Sequence, residues 1–175
     1  LTSIIRQLRI LLLGLWLGAA IFFSAAVAPA LFGVLRGAGL ANANELAGAI
    51  VTRLLGIVNR GGLEIALFLF VTGFFVNRNR SRLARWAEMI SLAIVAIMTA
   101  VGHWVIAARM SALRTAMQLP IDHIAPDDPR RIAFDNLHRY SVLLLSVAMC
   151  AAVAAFVFNR VRIGASAGSP HDARN

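Results

Sequence analysis

Four apolar stretches near 20 residues long, set between arginine-bearing polar segments, dominate this chain. That length crosses the hydrocarbon core of a bilayer as an α-helix. Lipid offers no water to the backbone, so a spanning segment must satisfy its own N–H and C=O groups. Long unbroken apolar runs do this as helices. The expected spans cover about 10–30, 57–77, 86–106 and 140–159. The predicted fold is all-α: one integral membrane four-helix bundle over residues 1–160, followed by a disordered tail over 161–175.

Charge supports this reading. Only 14% of residues are charged, against about 25% in a soluble domain. The net charge is +9, and all 17 basic residues are arginine. They flank apolar runs, where arginines anchor helix ends and set orientation. No basic face with interleaved aromatics is present, so the bilayer is the expected partner and nucleic acid is not. The single Cys150 excludes an intramolecular disulfide and a multi-cysteine metal site.

Local signals place the helix ends. Arg6 and Arg9 followed by an apolar run and Ala26-Val27-Ala28 resemble a cleaved leader. Pro29 directly after the cut and the length from Ile10 to Ala30 favour a spanning helix instead. Asn42 and Glu45 have capping-box spacing, and Leu46, Ile50, Leu54 and Ile57 recur with helical period. They predict an amphipathic extension before the second span, with a bend at Gly61-Gly62. Met110, Leu113 and Met117 carry the third helix past the bilayer until Leu119-Pro120 stops it. Asp128-Pro129 starts the fourth helix about two turns before its membrane part.

Small residues mark packing faces. Gly14 and Gly18 form a GxxxG, and Ala148, Ala152 and Ala155 share one face of the last helix. Such faces serve close helix contact in lipid, inside the bundle or across a homo-oligomer seam. Four spans must first pack on one another, which favours the bundle interior.

Ionisable groups near membrane depth are costly and tend to face an interior or a water-filled cavity. Glu64, His103 and His138 all belong at one membrane face, so they are the expected lining of one outward-facing pocket, with Arg60 or Arg139 neutralising the carboxylate. Imidazole and carboxylate suit a divalent metal or a proton-linked pair. The bland reading is a set of separate headgroup contacts, with Arg131, Asp135 and Arg139 pairing along one helix face. No Gly-x-Ser-x-Gly, HExxH or phosphate-binding loop is present, so the reading leans away from an enzyme and names no cofactor.

"LWLGAAIFFSAAVAPALFGVL", "SALRTAM" and "FDNLHRYSVLLL", in that order, resemble the DUF4149 membrane proteins, the group similar to transmembrane protein 205. The resemblance implies a four-helix membrane protein without an assigned chemistry. Its eukaryotic branch, linked to handling of platinum drugs, points to metal or solute traffic. A weaker likeness is to copper-resistance and protoporphyrinogen-oxidase-like membrane proteins. Those carry a histidine upstream of a Trp-x-Gly, where this chain has Arg9 before Trp16-Leu17-Gly18. The leading expectation is therefore a membrane protein that binds or passes a small solute or metal ion. The alternatives are haem held between His103 and His138 in a redox protein, and a membrane scaffold or assembly factor.

With four spans the termini share a side. That side holds nine arginines: Arg6, Arg9, Arg78, Arg80, Arg82, Arg85, Arg160, Arg162 and Arg174. Short loops and span ends weigh most in orientation, so both termini are expected in the cytoplasm and the chain in the inner membrane. A reporter active only in the periplasm, fused after Arg162, should stay silent; a signal would reverse the orientation.

Overall fold

The computed structural model describes residues 2–76 and 81–160, with side chains at 2, 76, 159 and 160 left aside. Four long helices make up the fold. Helix α1 runs through Thr2–Phe22, a π-helical turn at Phe23–Val27, and Ala28–Gly37. Helix α2 is Ala43–Val76. Helix α3 runs through Arg82–Ala100, a second π-helical turn at Val101–Ile106, and Ala107–Met117. Helix α4 is Pro129–Arg160. All four are long and apolar enough to cross a membrane. Each packs on two neighbours in a closed ring, α1 on α2, α2 on α3, α3 on α4 and α4 on α1.

The helix ends follow local chemistry. Gly39 takes a left-handed conformation (φ 68°) after α1, and its N–H reaches the Arg36 carbonyl. Ser81 caps α3 by accepting from the Ala84 N–H at 3.3 Å. Gln118 turns left-handed (φ 56°) to end α3, and Leu119-Pro120 follows. Asp128 accepts from the Arg130 N–H at 2.8 Å, and Pro129 opens α4. The π-turn in α1 sits just before Pro29, which cannot donate to a carbonyl four residues back. A wider turn accommodates the lost bond.

The core is a set of stripes with alternating three- and four-residue spacing. Leu13, Trp16, Ala20 and Phe23 come from α1, Ala66 and Leu69 from α2, Leu92 and Val95 from α3, and Leu145, Ala148, Ala152 and Ala155 from α4. The alanine face of α4 is therefore buried. Gly14 lies 4.0 Å, measured from an ideal Cβ, from the Phe156 ring, whereas Gly18 is exposed with open space around it. Close helix contact falls at other glycines. A Cβ on Gly62 would lie 2.6 Å from the Trp16 Nε1, which donates to the Val58 carbonyl at 2.9 Å. Gly62 thus admits an indole between α1 and α2. Helical structure continues through Gly61-Gly62.

Of the four apolar residues with helical period on the α2 extension, Leu54 packs against the core. Leu46, Ile50 and Ile57 are exposed, and the buried stripe is Ala43, Ala47 and Val51. The small residues of this stripe let the neighbouring helices approach closely.

Among the described residues two charged side chains are wholly buried. Arg9 and Glu88 are each 1% exposed, and the Arg9 Nη2 lies 2.7 Å from the Glu88 Oε1. The Arg9 Nη1 also donates to the Leu69 carbonyl and to the Thr72 hydroxyl. One guanidinium therefore joins α1, α2 and α3 across the bundle. A Cβ on Gly73 would sit 3.4 Å from the Arg9 Nη2, so the glycine leaves the guanidinium its space. Arg9 lies four residues before Leu13, and Glu88 four before Leu92, so both occupy core-stripe positions.

Removing one partner of a buried pair costs about 3–5 kcal/mol, while replacing both by apolar groups is far milder. Arg9→Met should lower thermal stability in detergent by that amount, and adding Glu88→Leu should recover part of it. Arg6→Met, at an exposed site, should stay within about 0.5 kcal/mol. Equal effects at Arg6 and Arg9 would show that the pair contributes nothing.

Candidate functional site

A cleft of about 730 Å³ opens at the end of the bundle that carries the α1–α2 and α3–α4 connections. All four helices line it. Helix α1 contributes Pro29, Phe32 and Arg36; α2 contributes Asn44, Thr52, Gly56 and Asn59; α3 contributes His103, Met110 and Arg114; α4 contributes Arg131, Asp135, His138 and Ser141. Asp122 joins from the α3–α4 connection. From Asn44 to Asn59 the cleft follows α2 for about 22 Å at 1.5 Å per residue.

Its inner end lies near the membrane surface. Exposed Trp86 and Trp104 stand 18 positions apart on α3, about 27 Å of helix, close to the hydrocarbon thickness of about 30 Å. Trp104 and exposed Tyr140 mark one interface. His103 adjoins Trp104, their rings edge-to-face at 4.9 Å. Further in, Trp16, Leu69, Leu92 and Leu145 fill the bundle axis, so the cleft closes within the bundle.

The second π-turn carries His103. Its imidazole would lie 3.9 Å from a Cβ on Gly56, and its Nδ1 is buried without a hydrogen-bond partner. Asn59, also buried, sits against Gly102, where a Cβ would come within 2.9 Å of its amide nitrogen. Ser141 is buried on α4 one turn from His138, which is exposed in the cleft.

A polar network ties the rim together. The Arg36 Nε donates to the Asn44 Oδ1 at 2.7 Å, and the Asn44 Nδ2 donates to the Asp122 Oδ1 at 2.6 Å. Asp122 also accepts from the backbone N–H of Glu45 at 3.0 Å. It therefore caps α2 from 77 residues away, in place of the box expected from Asn42 and Glu45. The Glu45 carboxylate turns to Arg114 at 2.9 Å, and that guanidinium lies over the Phe134 ring at 5.3 Å. Arg131 donates to the Ile124 carbonyl. Among the described residues Asp135 forms no ion pair, so the expected pairs with Arg131 and Arg139 are not made.

His103 and His138 thus line one cleft, and Glu64 lies elsewhere. Glu64 pairs with Arg60 at 3.0 Å on the exposed surface of α2, where the two side chains are 64% and 72% exposed. One helix turn joins them and leaves both outside the cleft. Arg139 is exposed and also outside the lining, as is Ser24, whose hydroxyl back-bonds to the Ala20 carbonyl at 2.8 Å. The sequence does not mark Arg36, Asn44, Arg114 and Asp122 as a site, because their partners lie on other elements. Among the described residues no group of three His, Cys, Asp or Glu side chains is placed to hold a metal ion.

Fold and composition define a multi-pass integral membrane protein, a helical bundle with a polar cleft at one end. Residues 11–118 match the family model DUF4149, a domain of unknown function, and the chain belongs to that family. The matched segment runs from α1 to the end of α3. The cleft's α4 wall, which carries "FDNLHRYSVLLL", lies beyond it. No curated protein and no solved structure matches the chain.

The Asp122 cap makes an acid-sensitive contribution. Burial pushes the carboxyl up, but the Glu45 N–H, the Asn44 amide and the Asn44 N–H together hold it below the ordinary aspartate value. A depressed folded pKa stabilises above the unfolded value, about 3.9, and that stability is lost as pH falls through the folded value. Asp128 behaves alike: hydrogen bonds from the Arg130 side chain and backbone lower it to about 2. Asp122→Ala should cost about 1 kcal/mol near neutral pH, as loss of a helix cap does, and flatten part of the acid limb below pH 4. An unchanged melting profile from pH 7 to 3 would remove Asp122 as the cap.

Proposed function

We propose that this chain is a non-enzymatic membrane protein that binds a small polar solute of mixed charge in the four-helix cleft. The observation that carries this is the state of its charges. Glu45 is engaged by Arg114, and Asp122 is engaged by the start of α2. Among the described residues Arg36 and Arg131 hold only neutral acceptors, and Asp135 holds no cation. Unmatched groups of both signs on one lining complement a ligand that carries both signs, with His103, His138 and Asn59 as further hydrogen-bond sites. Filled packing below Trp16 favours a binding site over an open conduit. With both termini in the cytoplasm of the inner membrane, the cleft opens on the outer face.

Two other ligand classes address the same cleft. A metal ion lacks a cluster of three ligands among the described residues. Haem draws support only from the two histidines on one lining. Thermal shifts of detergent-purified protein should rise and saturate with small zwitterions, more than with matched simple cations or anions. Asp135→Asn should weaken binding about tenfold, or about 1.4 kcal/mol. Stoichiometric metal on elemental analysis, or a haem absorbance band, overturns the solute reading. No response to any class assigns the protein a scaffold role instead.

A further inference from the structure

A second cavity, of about 430 Å³, lies between α2 and α3 at the arginine-rich end of the bundle, away from the polar cleft. Phe70 and Phe74 on α2 face Trp86, Met89 and Ile90 on α3 across it. Phe74, Trp86 and Ile90 are exposed, so the groove opens on the surface that meets lipid. An apolar slot on that surface suits a hydrocarbon chain.

One charged group stands in the slot. Arg85 lines it, and its Nε is buried without a hydrogen-bond partner. Among the described residues Arg85 forms no ion pair. Exposed Trp86 beside it marks the headgroup level. A guanidinium there offers a planar donor fork that matches phosphate oxygens. In the sequence Arg85 ends the stretch "NRNRSRLAR", with four arginines in nine residues and no acidic one, and that charge favours a lipid of net negative charge over a zwitterionic one.

We propose that the α2–α3 groove is a binding site for an anionic phospholipid, whose phosphate pairs with Arg85 while one acyl chain lies along Phe70 and Phe74. The site is independent of the polar cleft and of whatever binds there. Native mass spectrometry of the full detergent-purified chain, titrated with phosphatidylglycerol, phosphatidylcholine or chain-free glycerol phosphate, tests it. Phosphatidylglycerol should be retained at roughly tenfold lower concentration than either of the others. Arg85→Gln should abolish that preference, and Arg85→Lys, which keeps the charge but loses the fork, should reduce it. Arg82→Gln, at an exposed site outside the groove, should change retention less than twofold. Three results overturn the proposal: equal retention of the two lipids, an undiminished preference in both Arg85 variants, or glycerol phosphate binding as tightly as the lipid. Should Arg85→Gln fail to purify, the Arg85→Lys comparison decides.

Discussion

A bilayer supplies no water to polar groups, and this bundle is organised by that constraint. The backbone is satisfied by helices long enough to cross. Hydroxyls turn back on their own helix, as Ser24 does to Ala20, Thr72 to Phe68 and Thr99 to Val95. Charges within the bundle must find partners there. Arg9 finds a carboxylate, a carbonyl and a hydroxyl on two other helices. Its donors are met by α2 and α3, so it specifies how three helices sit together. Apolar contact alone does this weakly in lipid.

The two ends of the bundle treat polarity differently. At the arginine-rich end the buried pair closes the interior, with Gly73 giving the guanidinium space. At the other end the helices run past the interface marked by Trp104 and Tyr140, and polar residues on their inner faces line a cleft. His138 illustrates the change. It lies on the α4 face that continues through Ser141, Leu145 and Ala148, yet it is exposed because the facing space is open.

The cleft keeps its shape through contacts between elements distant in sequence. Arg36, Asn44 and Asp122 link α1, α2 and the α3–α4 connection in one chain of hydrogen bonds. Glu45 and Arg114 tie α2 to α3, and Phe134 brings in α4. Most charge near the rim is spent on this framework. Groups left outside it, Arg131 and Asp135 above all, define what the cleft offers a ligand.

The sequence alone determined the number of helices, their membrane character and several of their ends, because these depend on local composition and backbone chemistry. Leu119-Pro120 follows the end of α3, and Asp128-Pro129 opens α4, as read from the residues themselves. It also brought His103 and His138 to one level, since helix rise converts position into depth. Which face of each helix points inward was decided by the tertiary structure. Leu46, Ile50 and Ile57 repeat with helical period yet are exposed, while Ala43, Ala47 and Val51 are buried, so the period by itself did not give the inward face. Glu64 lies on the outer face of α2, eight residues beyond Gly56 where His103 packs, and Arg60 one turn away meets its charge there. Arg9 and Glu88 left a trace, each four residues before a core position, but only packing shows that the two meet. Asp122 left none: its partners are 77 and 78 residues distant, and only the folded chain brings a loop carboxylate to the start of another helix.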